Sequence, residues 1–258
     1  MNVFFLVIFA LLAFVLGACL ASFYGVIISR VPNDMSIIKP ASHCFNCKAP
    51  IKWYDNIPVI SYLILKGKCR SCHQSYGSFY FFYELFNGLI SAGIVALYGF
   101  SYETIFIFLL FQILYLIAGY DYKTFEMLDV TLIIYGVIAL GYFFFRVFYL
   151  KDANYIDLLI GSAIGLVFFG AIKVIGKLIL KKDCLGGGDV ILMTISGLFL
   201  GIIPTLFAIL VGSLVGTIIE VIKMKVTKKE GMIAFGPYLG LGTFVSLLLS
   251  DYVMRLFQ

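Results

Sequence analysis

The chain has 258 residues, of which 62% are hydrophobic and only 13% charged, with a mean hydropathy of +1.04. A soluble domain carries about 25% charged residues, so composition excludes a soluble globular protein and points to an all-α polytopic membrane protein. The net charge of +5 is modest, and its placement along the chain carries the information.

Apolar spans lie near 3–29, 78–99, 104–120, 130–149, 157–178, 190–202, 204–222 and 234–256. Each is long enough, or nearly so, to cross about 30 Å of hydrocarbon as a helix. The expected fold is therefore about eight transmembrane helices, or seven if the two spans that adjoin at Pro204 count as one. A cytosolic loop, 31–77, separates a first helix, 1–30, from a membrane core, 78–258. The first span has no basic n-region and runs past a typical signal-peptide core, so it reads as a retained helix. "LGAC" at 16–19 resembles a lipoprotein box, but the apolar run continues beyond it, and Cys19 reads as a small packing residue.

The loop between the first two spans holds "CFNC" at 44–47 and "CRSC" at 69–72. Two C-x-x-C pairs at this spacing fit a tetrahedral zinc site with Cys44, Cys47, Cys69 and Cys72 as ligands. Four thiolates leave no open position for water, so the expected zinc is structural, and a redox role is the rival reading. The stretch between the pairs, with its two prolines and alternating apolar residues, is expected to form a short hairpin. His43 and His73 flank ligand cysteines and read as neighbours of the site. Cys184 lies outside the spacing and receives no role.

Lys and Arg concentrate in alternate loops. Arg30 to Gly77 holds seven, the 121–128 link holds Lys123, and the links after the fifth and seventh spans are lysine-rich. The other loops hold only Arg146, Lys151 and Arg255. The positive-inside rule makes the rich set cytosolic. These charges read as topology signals that touch anionic lipid headgroups. They form no basic groove interleaved with aromatics, so no nucleic-acid partner is expected.

Four acidic residues at or inside spans remain: Glu84, Asp121, Asp129 and Asp189. Asp129 and Asp189 each precede a span and fit a helix N-cap. Gly186, Gly187 and Gly188 then read as a flexible link. Asp121 ends a helix, where the dipole disfavours an anion, so it is the strongest functional candidate. Glu84 lies inside a span and is expected to be paired, protonated or facing water. The loop charges put Asp121 and Asp189 at the same membrane face. Two adjacent carboxylates do not both ionise readily and share a proton, as in aspartic proteases. The glycines before Asp189 would admit a substrate backbone. Two capping aspartates explain the positions almost as well.

The residues also resemble the type IV prepilin peptidases over nearly the whole chain. "GGGD" at 186–189 matches that family's G-x-G-D motif, and "DYKTFEMLD" at 121–129 resembles its first-aspartate motif. "NIPVISYLILKGKCRSC" at 56–72, "YFFYEL" at 80–85, "FGPYLGLG" at 235–242 and "ASFYGVIISRVP" at 21–32 resemble its other signatures. Leu128 stands where the family usually has Pro, and Ile191 where Lys is common. Ala21 and Gly25 replace a common Gly and Asn.

The resemblance implies catalytic roles for Asp121 and Asp189. Gly186, Gly188, Asp129 and Glu84 would support them. It makes 78–258 a transmembrane aspartic peptidase core in a bacterial cytoplasmic membrane, with the active site at the cytosolic face. The implied substrates are type IV prepilins or pseudopilins, cleaved after a Gly that follows a basic leader. The family's second activity would methylate the new N-terminus with S-adenosylmethionine, and this rests on resemblance alone. Two further readings stay open: a G-x-G-D intramembrane protease with other substrates, and a non-catalytic zinc-bearing assembly factor.

Overall fold

The computed structural model describes residues 3–151, 154–181, 185–227 and 233–250. Cys184 and the end of the last expected span lie outside the described residues. Nine α-helices occur among them: α1 (Val3–Arg30), α2 (Ile60–Leu65), α3 (Phe79–Tyr98), α4 (Tyr102–Thr124), α5 (Asp129–Phe144), α6 (Tyr155–Leu180), α7 (Gly187–Leu200), α8 (Ile202–Thr227) and α9 (Gly236–Leu248). The described residues contain no strand beyond two isolated bridges.

Among the described residues, six helices are long and apolar enough to cross a membrane: α1, α3, α4, α5, α6 and α8. The other two expected spans correspond to shorter apolar helices, α7 and α9. α7 is 14 residues long, or about 21 Å at 1.5 Å per residue. Gly201, at φ +86°, ends it and lets α8 begin at once. Asp157 holds this corner, its carboxylate accepting the Ile202 N–H that opens α8. Apolar side chains such as Leu11, Leu12 and Val15 face outward. This is the pattern of a multi-pass membrane protein, whose outer surface meets lipid rather than water.

The chain divides into two compact units, Met1–Phe108 and Leu109–Gln258. In the first, α1 packs along α3. Close approach requires small residues there: a methyl group on Gly17 would come within 2.8 Å of Asn87 Oδ1, and one on Gly88 within 2.9 Å of the Phe14 ring. Phe9 stacks on Phe100 at 4.6 Å.

The expected hairpin between the cysteine pairs does not form. The segment instead coils as a 3-10 turn, Trp53–Asp55, and the short helix α2. Pro58 has no N–H for a ladder, and the neighbouring amides close helical turns, Asp55 N to Lys52 O and Ser61 N to Ile57 O.

In the second unit, α7 is the centre. α6 lies directly on it at Gly161 and Gly165, where a methyl group would strike the backbone of Gly197, Gly201 and Met193. Ser162 Oγ donates to Thr194 O at 2.8 Å. From the other side, α5 sends Tyr135, fully buried, to Ser196 Oγ at 2.9 Å. α8 and α9 pack together through Gly212, Gly216 and Gly242. This packing fixes the start of α7, and Asp189 lies in its first turn.

Candidate active site and metal centre

Asp121 lies in the last turn of α4 and is only 5% exposed. A buried carboxylate at a helix C-terminus needs a donor. It finds one across the unit, where the Gly236 N–H donates to Asp121 Oδ2 at 2.9 Å. A methyl group on Gly236 would come within 2.6 Å of that oxygen. Only glycine lets the first turn of α9 come so close.

Asp189 is 7% exposed. It does not cap α7, as the sequence suggested. The N-cap is Gly186, and Asp189 stands three residues on, its carboxylate accepting the Gly186 N–H. This is the returning half of a capping box. Asp189 Oδ1 is buried and accepts no hydrogen bond among the described residues. Asp189 lies within electrostatic range of Asp121. Lys173 from α6 joins them: a methyl group on Gly187 would lie 3.1 Å from its ammonium, and its charge also reaches Asp189.

Two further features escaped the sequence reading. Met127, in the link after α4, lies across the backbones beside both carboxylates. A methyl group on Gly188 would come within 2.8 Å of its Sδ, and one on Gly236 within 2.5 Å of its Cε. Tyr238, in the first turn of α9, sits on a glycine stripe of α8. A methyl group on Gly212 would come within 2.9 Å of Tyr238 O, and one on Gly216 within 3.0 Å of its ring. One turn further along α8, buried Glu220 accepts the Tyr238 hydroxyl at 2.8 Å and pairs with Lys223 at 3.2 Å. This brace holds the turn that presents Gly236 to Asp121. The glycines and Glu220 recur every fourth residue on α8, a spacing that marks one helix face, but nothing in it names the partner.

Of the residues expected to support the pair, Gly186 and Gly188 lie beside it. Asp129 stands exposed at the first position of α5. Glu84 belongs to the other unit, where it joins three segments. It accepts the Val59 N–H at 2.8 Å and the Ser22 hydroxyl. Val59 adopts φ +63°, ψ −52°, with Ile60 N donating to Pro58 O at 2.6 Å. This is a γ-turn of the strained positive-φ kind, unusual for a β-branched residue. It aims an amide at Glu84 and starts α2.

The four cysteine sulfurs lie within 4.8 Å of one another. Cys44 to Cys72 is 3.8 Å and Cys47 to Cys69 is 3.9 Å. Zn–S bonds near 2.3 Å in a tetrahedron require S–S separations of about 3.8 Å, so the cage fits zinc. The two knuckles are built alike. Cys44 N donates to Ala49 O and Lys48 N to Cys44 O; Cys69 N donates to Gln74 O and His73 N to Cys69 O. Lys48 and His73 both turn through positive φ. Backbone amides also face the sulfurs, as thiolate ligands need. The Gln74 N–H draws the Cys72 thiol down and those of Cys47 and Asn46 draw Cys44 down, while desolvation and the other three sulfurs push Cys47 up. His43 turns away to donate from Nδ1 to Ala41 O. Arg70, between Cys69 and Cys72, forks onto Asp55 at 2.8 and 2.6 Å, tying the second knuckle to the 3-10 turn.

Residues 15–98 match the bacterial peptidase A24 N-terminal domain, and residues 106–221 match the type IV leader peptidase family. The chain is 31% identical to a prepilin leader peptidase/N-methyltransferase of Myxococcus xanthus, over 87% of this chain and 66% of that protein. It is 30% identical to one from Neisseria gonorrhoeae, over 95% of this chain and 92% of the relative. A third, from Bacillus subtilis, is 28% identical over 95% and 96%. No solved structure matches it significantly. With both halves matched and a 30% identical relative covered almost end to end, the chain belongs to the type IV leader peptidase family.

Proposed function

We propose that this protein is a membrane-embedded aspartic endopeptidase. It removes the basic leader from type IV prepilins or pseudopilins, cutting after a glycine at the cytosolic face of a bacterial cytoplasmic membrane. The observation that carries the reading is that two buried carboxylates from distant parts of the chain, Asp121 and Asp189, lie within electrostatic range of each other, with Met127 spanning the backbones beside both. Two capping aspartates would not need to do so.

The chemistry uses the pair as one carboxylate and one carboxylic acid. Asp189, with an oxygen free of hydrogen bonds, takes a proton from water as the water oxygen attacks the scissile carbonyl. Asp121, held through its other oxygen by Gly236, gives its proton to the carbonyl oxygen. The C–N bond then breaks as the leaving amine takes the proton from Asp189 and a hydroxyl of the gem-diol returns one to Asp121, which leaves a carboxylic acid and restores the starting pair. Lateral entry from lipid suits a substrate whose cleavage site adjoins an apolar helix.

Zinc on the four cysteines is structural in this reading, holding together a loop too small to fold on its own core. Methyl transfer from S-adenosylmethionine is a second proposed activity, supported by the names of the relatives. A cavity of about 410 Å³ beside α1 is lined by residues including Phe23, Arg30, Ser42 and Asn56, without a carboxylate. Nothing in this lining identifies a methyl-donor site, so no step is assigned to these residues.

The test co-expresses a prepilin with Asp121→Asn or Asp189→Asn. Each variant should insert, retain zinc and lose cleavage. Retained cleavage in both would overturn the reading. Mass analysis of the mature N-terminus reads out methylation.

A further inference from the structure

We propose that Met127 closes the side-chain space at the scissile residue and is the determinant that restricts cleavage to glycine. The inference rests on the peptidase reading above. A carbonyl attacked by the pair must lie between Asp121 and Asp189. Met127 already crosses that region: its thioether and stem lie against the backbone at Gly188, the residue before Asp189, and its methyl lies against Gly236, the residue that holds Asp121. Even a methyl group on either glycine would come closer than 3.0 Å to Met127. A scissile residue bearing a side chain would compete for this filled space, whereas glycine would not.

The wall is adjustable. Met127 lies in the link between α4 and α5 rather than in a helix, and an unbranched thioether changes shape readily. Met127→Ala removes as many heavy atoms as valine adds to glycine, so the space it opens matches the side chain it would admit. Filled hydrophobic space discriminates by about 10–200-fold per added methylene, enough for a selectivity that needs no polar contact.

The experiment uses the full-length enzyme in membranes and a full-length prepilin carrying Gly or Val before the scissile bond. The native enzyme and Met127→Leu, which keeps the bulk, should cleave the Gly substrate at least about 100-fold faster than the Val substrate. Met127→Ala should cleave the Val substrate faster than the native enzyme does and bring the ratio below about tenfold. The proposal is overturned if Met127→Ala keeps the native ratio, or if the native enzyme cleaves both substrates alike. It is also overturned if inserted, zinc-loaded Met127→Ala loses both cleavages, which would make Met127 a positioning residue. If the native enzyme cleaves neither substrate, the peptidase reading fails instead.

Discussion

The Gly236 N–H donates to Asp121 Oδ2 at 2.9 Å, joining residues 115 apart in the chain. The bond gives a buried carboxyl group at the wrong end of a helix the donor that its own helix cannot supply. It also makes α9 part of the site, although α9 contributes no titratable side chain to the pair itself.

Gly236→Ala tests this contact. Its methyl would meet Asp121 Oδ2 at 2.6 Å and Met127 Cε at 2.5 Å. The methionine tip can yield, but the carboxylate is held by α4. Misplacement by about 1 Å costs about 100-fold in rate. We expect prepilin cleavage to fall by that order while the thermal unfolding midpoint stays near native. Native cleavage rates would show that Asp121 needs no such placement.

The brace behind it separates two substitutions. Tyr238→Phe leaves buried Glu220 with Lys223 as its remaining partner of the two. It should destabilise the protein by about 1–3 kcal/mol. Glu220→Gln still offers an acceptor oxygen to the hydroxyl and should cost less. Thermal unfolding in detergent ranks them, and a larger loss for Glu220→Gln would contradict the hydrogen-bond account.

Zinc removal should act on stability before activity. Chelation, or Cys44→Ser, breaks the cage and unlinks the knuckles. Metal content and the unfolding midpoint should fall first, with cleavage lost in proportion. Lost cleavage in a protein of native stability and metal content would mean that the centre is not purely structural.

Val59 and Glu84 make opposite predictions. Val59→Gly relieves a positive φ that a β-branched residue tolerates poorly and should stabilise the loop by about 1 kcal/mol. Glu84→Ala removes the acceptor of the Val59 N–H and the Ser22 hydroxyl and should loosen the loop. Hydrogen exchange at the Val59 amide, faster in Glu84→Ala, checks the second.

The Asp55–Arg70 fork predicts a titration. The Arg70 guanidinium holds the Asp55 carboxyl below the usual carboxylate range. A lowered value means that the pair contributes stability above about pH 4 and loses it as pH falls through the Asp55 value. The Asp55 carboxyl carbon, followed by NMR, should titrate below the ordinary aspartate range and return to it in Arg70→Gln.

Much of this was legible because some signals are local. Two C-x-x-C pairs fix ligand identity by spacing, and the structure closes them into a cage of the expected size. Apolar run lengths gave the helices. Each of the eight runs has its apolar helix among the described residues, six long and two shorter, with Gly201 ending α7 early. Asp121 was flagged because a helix end disfavours it. Glu84 was expected to find a partner and found one in Val59, but a main-chain amide in a strained turn has no sequence signature. Asp189 was misread as an N-cap because N-cap and third-position acids look alike in sequence.

By itself, the sequence determined the membrane class, the candidate ligands and the candidate carboxylates, because hydropathy, spacing and charge belong to the residues. Only the tertiary structure decided that Met127 and Lys173 neighbour the pair and that Tyr238 and Glu220 brace the turn of α9 behind it. Close helix approach at glycines sets those neighbours, and a glycine in sequence does not say which backbone it will admit.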